Sequence, residues 1–218
     1  MKKNWKFFLM IGSIIILSGL VFITNSISTE SIINDKKNEI AAIVNGEKIY
    51  LDDIEKIYKD FKEHGVVPIP DKKKILNDII NELAVIQEAE NQNIIVNDEE
   101  VENRINILKE HMPELYETVL EKVSLEEYKE ILKKGILYQK MKENVLKENP
   151  VYISEEAVLA YIEKNKKDFS KSTMDEDKFD EVKNIIKEML KEREEIKVFN
   201  QWIEKLKDKA EIKIYFDF

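Results

Sequence analysis

The chain has 218 residues, among them 5 Gly, 4 Pro and no Cys. The lack of Cys excludes a disulfide framework, a thiolate metal site, a thiol nucleophile and a lipid-modified cysteine. Scarce Gly and Pro argue against a Gly-rich phosphate loop and a turn-dense β-sandwich. Charged residues make up 36% and apolar residues 43%, a balance typical of a helical globular protein.

The net charge of −9 is unevenly distributed along the chain. Residues 1–28 contain Lys2, Lys3 and Lys6 and no acidic residue, so this segment carries +3. The remaining residues carry the difference, −12. A body this acidic repels nucleic acid phosphate, and we therefore expect no nucleic acid partner.

An uncharged apolar run, Phe7–Ile23, follows the three lysines. Its length is at the lower limit for a membrane-spanning helix and slightly long for the apolar core of a signal peptide. The sequence predicts a signal peptide or signal anchor over residues 1–28, a polar tether over 29–38 and an extracytoplasmic body. We favour an uncleaved anchor in the cell membrane, because the triplet Ser26–Ser28 is not Ala-x-Ala. Secretion after signal cleavage is the alternative.

Strand-forming segments lie at the two ends of the body. Residues 40–44 and 47–51 flank Asn45-Gly46, whose preference for positive φ predicts a β-hairpin with a type I′ turn. Residues 212–216 alternate in polarity and are rich in strand formers. A terminal strand needs a partner edge, so we expect the two ends of the body to meet in one small sheet.

Helical patterns fill the region between these strands. The apolar spacing predicts helices over 52–64 and 71–93, from 97 to an interruption at Pro113, and over 124 to about 147, 154 to about 166 and 179 to about 209. A short segment, 114–120, follows Pro113. Capping boxes at Asn97–Glu100 and Ser124–Glu127 mark two of the starts. Residues 170–177 predict a linker. The predicted fold is mainly α, one helical domain over 39–218 with a small sheet.

No set of residues with catalytic or metal-binding spacing emerges. Two histidines, His64 and His111, are too few for a multi-histidine metal site. Acidic pairs such as Asp52-Asp53 and Glu126-Glu127 lie at predicted helix starts, where carboxylates cap free N–H groups. We therefore predict no catalytic residue, no cofactor and no metal.

Methionine and aromatic side chains recur at helical spacing with aliphatic residues. Core packing explains this pattern, and so does a groove lined by soft side chains for unfolded polypeptide. If a groove exists, we place it near the kink expected at Pro113. The candidate peptide-binding residues are Met112, Leu115, Tyr116, Tyr128 and Met141.

The order of segments along the body resembles the SurA/PrsA family of extracytoplasmic chaperone-foldases. The resemblance covers residues 40–169 and, more weakly, 178–216. It is carried by AAIVNGEKI (41–49), KILNDIINEL (74–83), QEA (87–89), IIVNDEEV (94–101), SLEEYK (124–129), VYISEE (151–156), Tyr161 and KDF (167–169).

Many members of that family insert a Gly-rich parvulin prolyl-isomerase domain with active-site histidines before the last helix. Here nine residues separate Phe169 from Phe179, no His follows His111 and no Gly follows Gly135. The resemblance thus implies a chaperone module without its isomerase, which binds unfolded or exported polypeptides and is not an enzyme. An adaptor that binds one envelope partner through its helical surface is the alternative.

Overall fold

The computed structural model describes residues 39–63, 65, 67–165, 176–216 and 218. The predicted signal or anchor segment, including Phe7–Ile23, and the tether over 29–38 lie outside these residues. So do His64 and residues 170–175 of the predicted linker.

A three-stranded antiparallel sheet joins the two ends of the body. Its strands β1 (Ile40–Val44), β2 (Glu47–Tyr50) and β3 (Ile212–Ile214) lie in the order β2-β1-β3. Val44 pairs with Glu47 on one side and with Ile212 on the other. This confirms the predicted hairpin and the meeting of the two ends.

The hairpin turn also anchors the C-terminal strand. Asn45 and Gly46 have φ values of 47° and 91°, as a type I′ turn requires. The Asn45 side chain donates to Gln87 Oε1 at 2.8 Å and accepts from the Glu211 backbone N–H at 2.8 Å. The Asn45 backbone N–H donates to the Glu211 carbonyl at 2.9 Å, so one turn residue holds both helix and strand.

Helices make up most of the described chain, which confirms the mainly α fold. Their bounds are α1 (Leu51–Glu63), α2 (Lys72–Asn91), α3 (Asp98–His111), α4 (Pro113–Leu120), α5 (Leu125–Glu148), α6 (Glu155–Lys164) and α7 (Glu176–Lys207). α7 begins at Glu176 rather than at Phe179, so its first turn includes the last two residues of the predicted linker. None of the helices described combines the length and the apolar character needed to cross a membrane.

The predicted capping boxes are confirmed. At α3, the Glu100 backbone N–H donates to Asn97 Oδ1 at 3.0 Å, and the Asn97 N–H donates to Glu100 Oε2 at 3.0 Å. At α5, Glu127 N–H donates to Ser124 Oγ at 3.3 Å and Ser124 N–H to Glu127 Oε2 at 2.8 Å. These reciprocal bonds satisfy backbone donors that the first helical turn leaves free.

The chain divides into two compact units. Unit 1 comprises Met1–Met141 with Leu206–Phe218, and unit 2 comprises Lys142–Lys205. In unit 1, one apolar core forms where the sheet packs on α1 and α2, around fully buried Val44, Ile49, Ile54 and Ile79. In unit 2, α6 and α7 pack through buried Val158, Ile162 and Ile186.

Candidate functional site

The helix break at Pro113 shapes the region where the peptide-binding groove was predicted. Met112 ends α3, its N–H donating to the Leu108 carbonyl at 2.8 Å, and it also precedes α4. Pro113 occupies the first position of α4, where its missing N–H leaves no helical hydrogen bond unmade. The Met112 carbonyl accepts from the Tyr116 N–H at 3.1 Å, so one residue caps two helices.

Side chains from α3, α4 and α5 pack into a second core of unit 1, the α3–α5 cluster. Half-buried apolar side chains surround a buried centre. The buried members are Val101, Ile105, Leu108, Tyr116, Tyr128 and Leu132. The half-buried rim consists of Val96, Ile107, Met112, Leu115, Val119, Leu120, Val123 and Ile136.

Four of the five predicted peptide-binding residues come together here. Tyr116 and Tyr128 are 6% and 3% exposed, and their ring centroids lie 6.1 Å apart. Met112 and Leu115 belong to the half-buried rim. Met141 is buried on α5 but is not a member of this cluster. The tyrosines therefore pack in the core. Of the five predicted residues, Met112 and Leu115 are the two that offer surface to a ligand.

Charged side chains border the cluster. Burial raises the pKa of the Tyr128 phenol to about 12. The Lys109 ammonium lies 5.0 Å from the Tyr116 ring centroid, within range of a cation–π contact. Lys129 Nζ lies 2.8 Å from Glu102 Oε1 and joins α5 to α3. Its hydrogen bond lowers the pKa of Glu102.

Two buried carboxyl groups were not predicted. Glu82 on α2 is 5% exposed, and burial raises its pKa to about 8. Asp53 on α1 is 8% exposed, and burial raises its pKa to about 6 although its Oδ2 accepts from the Tyr50 N–H. The sequence held a signal for Glu82, which stands three residues after Ile79 and four before Ile86, within the apolar stripe of α2.

Glu82 lines a small cavity of about 140 Å³ between α2, β2 and α5, here called the α2 cavity. Glu47 from β2, Glu90 from α2 and Lys134 from α5 lie at its wall. Over the part of the chain that the structure describes, no group of three or more Asp, Glu or His side chains is placed to hold a metal ion.

Comparison with known structures supports the fold. A solved chain from work on PEB4 and Cj1289 of the human pathogen Campylobacter jejuni matches with a TM-score of 0.59 at 17% sequence identity. The match covers 83% of this chain and 100% of that one. Those two proteins are described as structurally related SurA-like chaperones, PEB4 as a virulence factor and Cj1289 as periplasmic.

Comparison of the sequence identifies the family. A search of curated proteins found no match. Residues 1–142, more than half of the chain, match the family described as the SurA-like N-terminal domain. The chain therefore belongs to the SurA-like N-terminal domain family.

Proposed function

We propose that this protein is a non-catalytic, extracytoplasmic chaperone that binds unfolded or exported polypeptides. The observation that carries the proposal is membership of the SurA-like N-terminal domain family over residues 1–142. The similarity in fold to a structure from work on SurA-like chaperones is consistent with it. The role requires reversible binding of apolar segments and no covalent step.

The α3–α5 cluster supplies the surface on which we propose that clients bind. Met112 and Leu115 on its half-buried rim offer flexible apolar contacts that adapt to many sequences. Buried Tyr116 and Tyr128 support the rim by packing beneath the surface. Met141 lies outside the cluster, so it is left out of the proposed contact surface.

The proposal predicts that the protein suppresses aggregation of an unfolded client. A denatured model protein diluted into buffer should scatter less light in its presence. Leu115→Glu should weaken client capture about 5-fold, equivalent to about 1 kcal/mol, because it places a charge in the apolar rim. Leu159→Glu, at a position 46% exposed on α6, is the matched control and should capture clients normally.

Circular dichroism should show that both variants are folded. Crosslinking in cells should then yield many exported chains that carry apolar segments. No suppression of aggregation, together with one stoichiometric folded partner, would contradict the chaperone and support the adaptor.

We also propose the domain plan and the location that the sequence predicts. In this plan residues 39–218 form the chaperone body, and 170–177 replace an inserted isomerase domain. Phe7–Ile23 would anchor that body outside the cell membrane. N-terminal sequencing of membrane and soluble fractions tests the location: an intact N-terminus in the membrane fraction is expected. A soluble form that starts near residue 29 would instead indicate secretion after cleavage.

A further inference from the structure

The α2 cavity is lined by a buried carboxyl group, that of Glu82, which the proposed client surface does not use. Glu82 is 5% exposed and stands among buried Ile79, Leu83 and Ile86. Its Oε2 atom is inaccessible to solvent and has no hydrogen-bond partner among the residues described. Buried polar atoms in native proteins are nearly always satisfied, so an unpartnered oxygen on a carboxyl group that lines a cavity points to a missing hydrogen-bond partner.

The size of the cavity limits the kind of ligand that could supply this partner. At about 140 Å³, the cavity is smaller than the roughly 300–1,000 Å³ typical of small-molecule sites. One side chain fits, whereas a drug-sized ligand does not. The cavity therefore has room for a single side chain of a larger partner.

The lining of the cavity specifies the chemistry of that residue. Glu47, Glu82 and Glu90 supply three carboxyl groups against one ammonium, that of Lys134. Ile79 and Ile86 supply apolar surface beside them. A cationic head on an aliphatic stem matches both parts of this lining, and lysine and arginine are the side chains built in this way.

A second, larger concavity adjoins the first and offers room for the chain that carries this side chain. It has a volume of about 500 Å³ and shares Glu47, Gln87 and Glu90 with the α2 cavity. Gln87 Nε2 donates to the Val44 carbonyl and to Glu47 Oε2, both at 3.2 Å, which fixes the wall common to the two. Glu88 and Lys209 also line this concavity.

We propose that the α2 cavity binds a lysine or arginine side chain of an extended polypeptide whose backbone lies in the adjoining concavity. The identity of that polypeptide as an unfolded client rests on the proposed function. The cavity would give the chaperone a preference for basic residues next to the apolar segments that it holds.

Binding should be coupled to the release of a proton. Burial raises the pKa of Glu82 to about 8, so the free carboxyl is protonated at neutral pH. The titratable groups that face it are Glu47 from β2, Lys134 and Tyr138 from α5, and Glu90 further along α2. An entering ammonium favours the ionised carboxylate, so Glu82 gives its proton to solvent and affinity rises as the pH increases toward 8.

Paired peptides test the proposal directly. A short unstructured fluorescein-labelled peptide of Ala, Ser and Leu with a single Lys is compared with a twin that carries norleucine in its place. By fluorescence anisotropy, the Lys peptide should bind about 5- to 10-fold more tightly. Glu82→Gln should abolish this preference, whereas Glu117→Gln, an exposed change on α4, should retain it.

Lys134→Met adds a second variant, which leaves the carboxyl groups in place. It should strengthen binding of the Lys peptide, because the competing ammonium is gone. Equal affinity for the two peptides, or an unchanged preference in Glu82→Gln, would overturn the proposal. Unchanged or weaker binding to Lys134→Met would do the same, since Lys134 would then be the natural partner of Glu82.

A small probe separates this proposal from the chaperone proposal. Butylammonium carries the cation and stem of lysine without a peptide, and ¹³C NMR can follow the Glu82 carboxyl, assigned through Glu82→Gln. Ionisation of Glu82 by butylammonium without any protection of clients would leave the cation site standing and refute the chaperone. Protection of clients with no response of Glu82 and no peptide preference would refute the cation site alone.

Discussion

Replacing Tyr128 with alanine should destabilise unit 1 by about 3–5 kcal/mol, the usual cost of removing a large aromatic side chain from a core. Tyr128 is 3% exposed and packs in the α3–α5 cluster, with its ring centroid 6.1 Å from that of Tyr116. Truncation leaves a cavity that the surrounding helices fill only in part. Urea unfolding, monitored through hydrogen exchange of the backbone amides of α3, would measure the loss of stability in unit 1.

Tyr215→Ala is the control for this substitution. Tyr215 is 59% exposed in the same unit, so its removal should change the free energy of unfolding by less than about 1 kcal/mol. Tyr128→Phe keeps the ring and should stay close to wild type. A Tyr128→Ala protein as stable as wild type but poor at binding clients would show that this side chain touches clients and does not pack in the core.

Replacing Glu82 with glutamine should remove a pH dependence from the stability of unit 1. The pKa of Glu82 is raised from 4.5 to about 8 by burial, which outweighs the opposing charge of Lys134. Between these values the unfolded chain has lost the proton that the folded protein still holds. Raising the pH therefore favours unfolding, and the stability present below pH 4.5 is lost as the pH approaches 8.

The measurement is best made between about pH 6.5 and 8.5. Across this range the free energy of unfolding of wild type should fall by about 2 kcal/mol relative to that of Glu82→Gln. Asp53 titrates below this window, because its raised pKa is about 6. Urea unfolding at each pH, with hydrogen exchange of α2 as the signal, gives the two slopes. Glu117→Gln, an exposed change on α4 in the same unit and outside the α2 cavity, should follow wild type. If the free energy of unfolding changed with pH in the same way for wild type and Glu82→Gln, the raised pKa of Glu82 would be contradicted.

Local sequence signals were enough to predict most of the fold. Asn45-Gly46 determines a tight turn by its backbone preference, and Asn97–Glu100 and Ser124–Glu127 determine helix starts by reciprocal hydrogen bonds. The closing strand was predicted as well, because an isolated strand-forming segment at 212–216 requires a partner. Each of these features depends on a few adjacent residues or on a simple pairing rule.

The candidate sites depend on packing between elements that are far apart in the sequence, which local patterns reveal only in part. Tyr116 and Met112 have similar apolar character and lie four residues apart, yet one is buried and the other borders the surface. The position of Glu82 within the apolar stripe of α2 is visible in the sequence, but the cavity that it lines with residues of β2 and α5 is not. The burial of each side chain therefore distinguishes core from rim residues in the α3–α5 cluster, a distinction that the sequence pattern left open. The structure also shows the α2 cavity.

The pairing of Asn45 with Glu211 has a consequence for the order of folding. These residues stand 166 positions apart, yet hydrogen bonds join them across the sheet. A chain that emerges N-terminus first from a ribosome or a translocation channel presents β1 long before its partner β3 exists. One edge of β1 stays open to other chains during that interval. Native closure is thus a late, vectorial event, and faster emergence should shorten the time in which the nascent protein is itself vulnerable to aggregation.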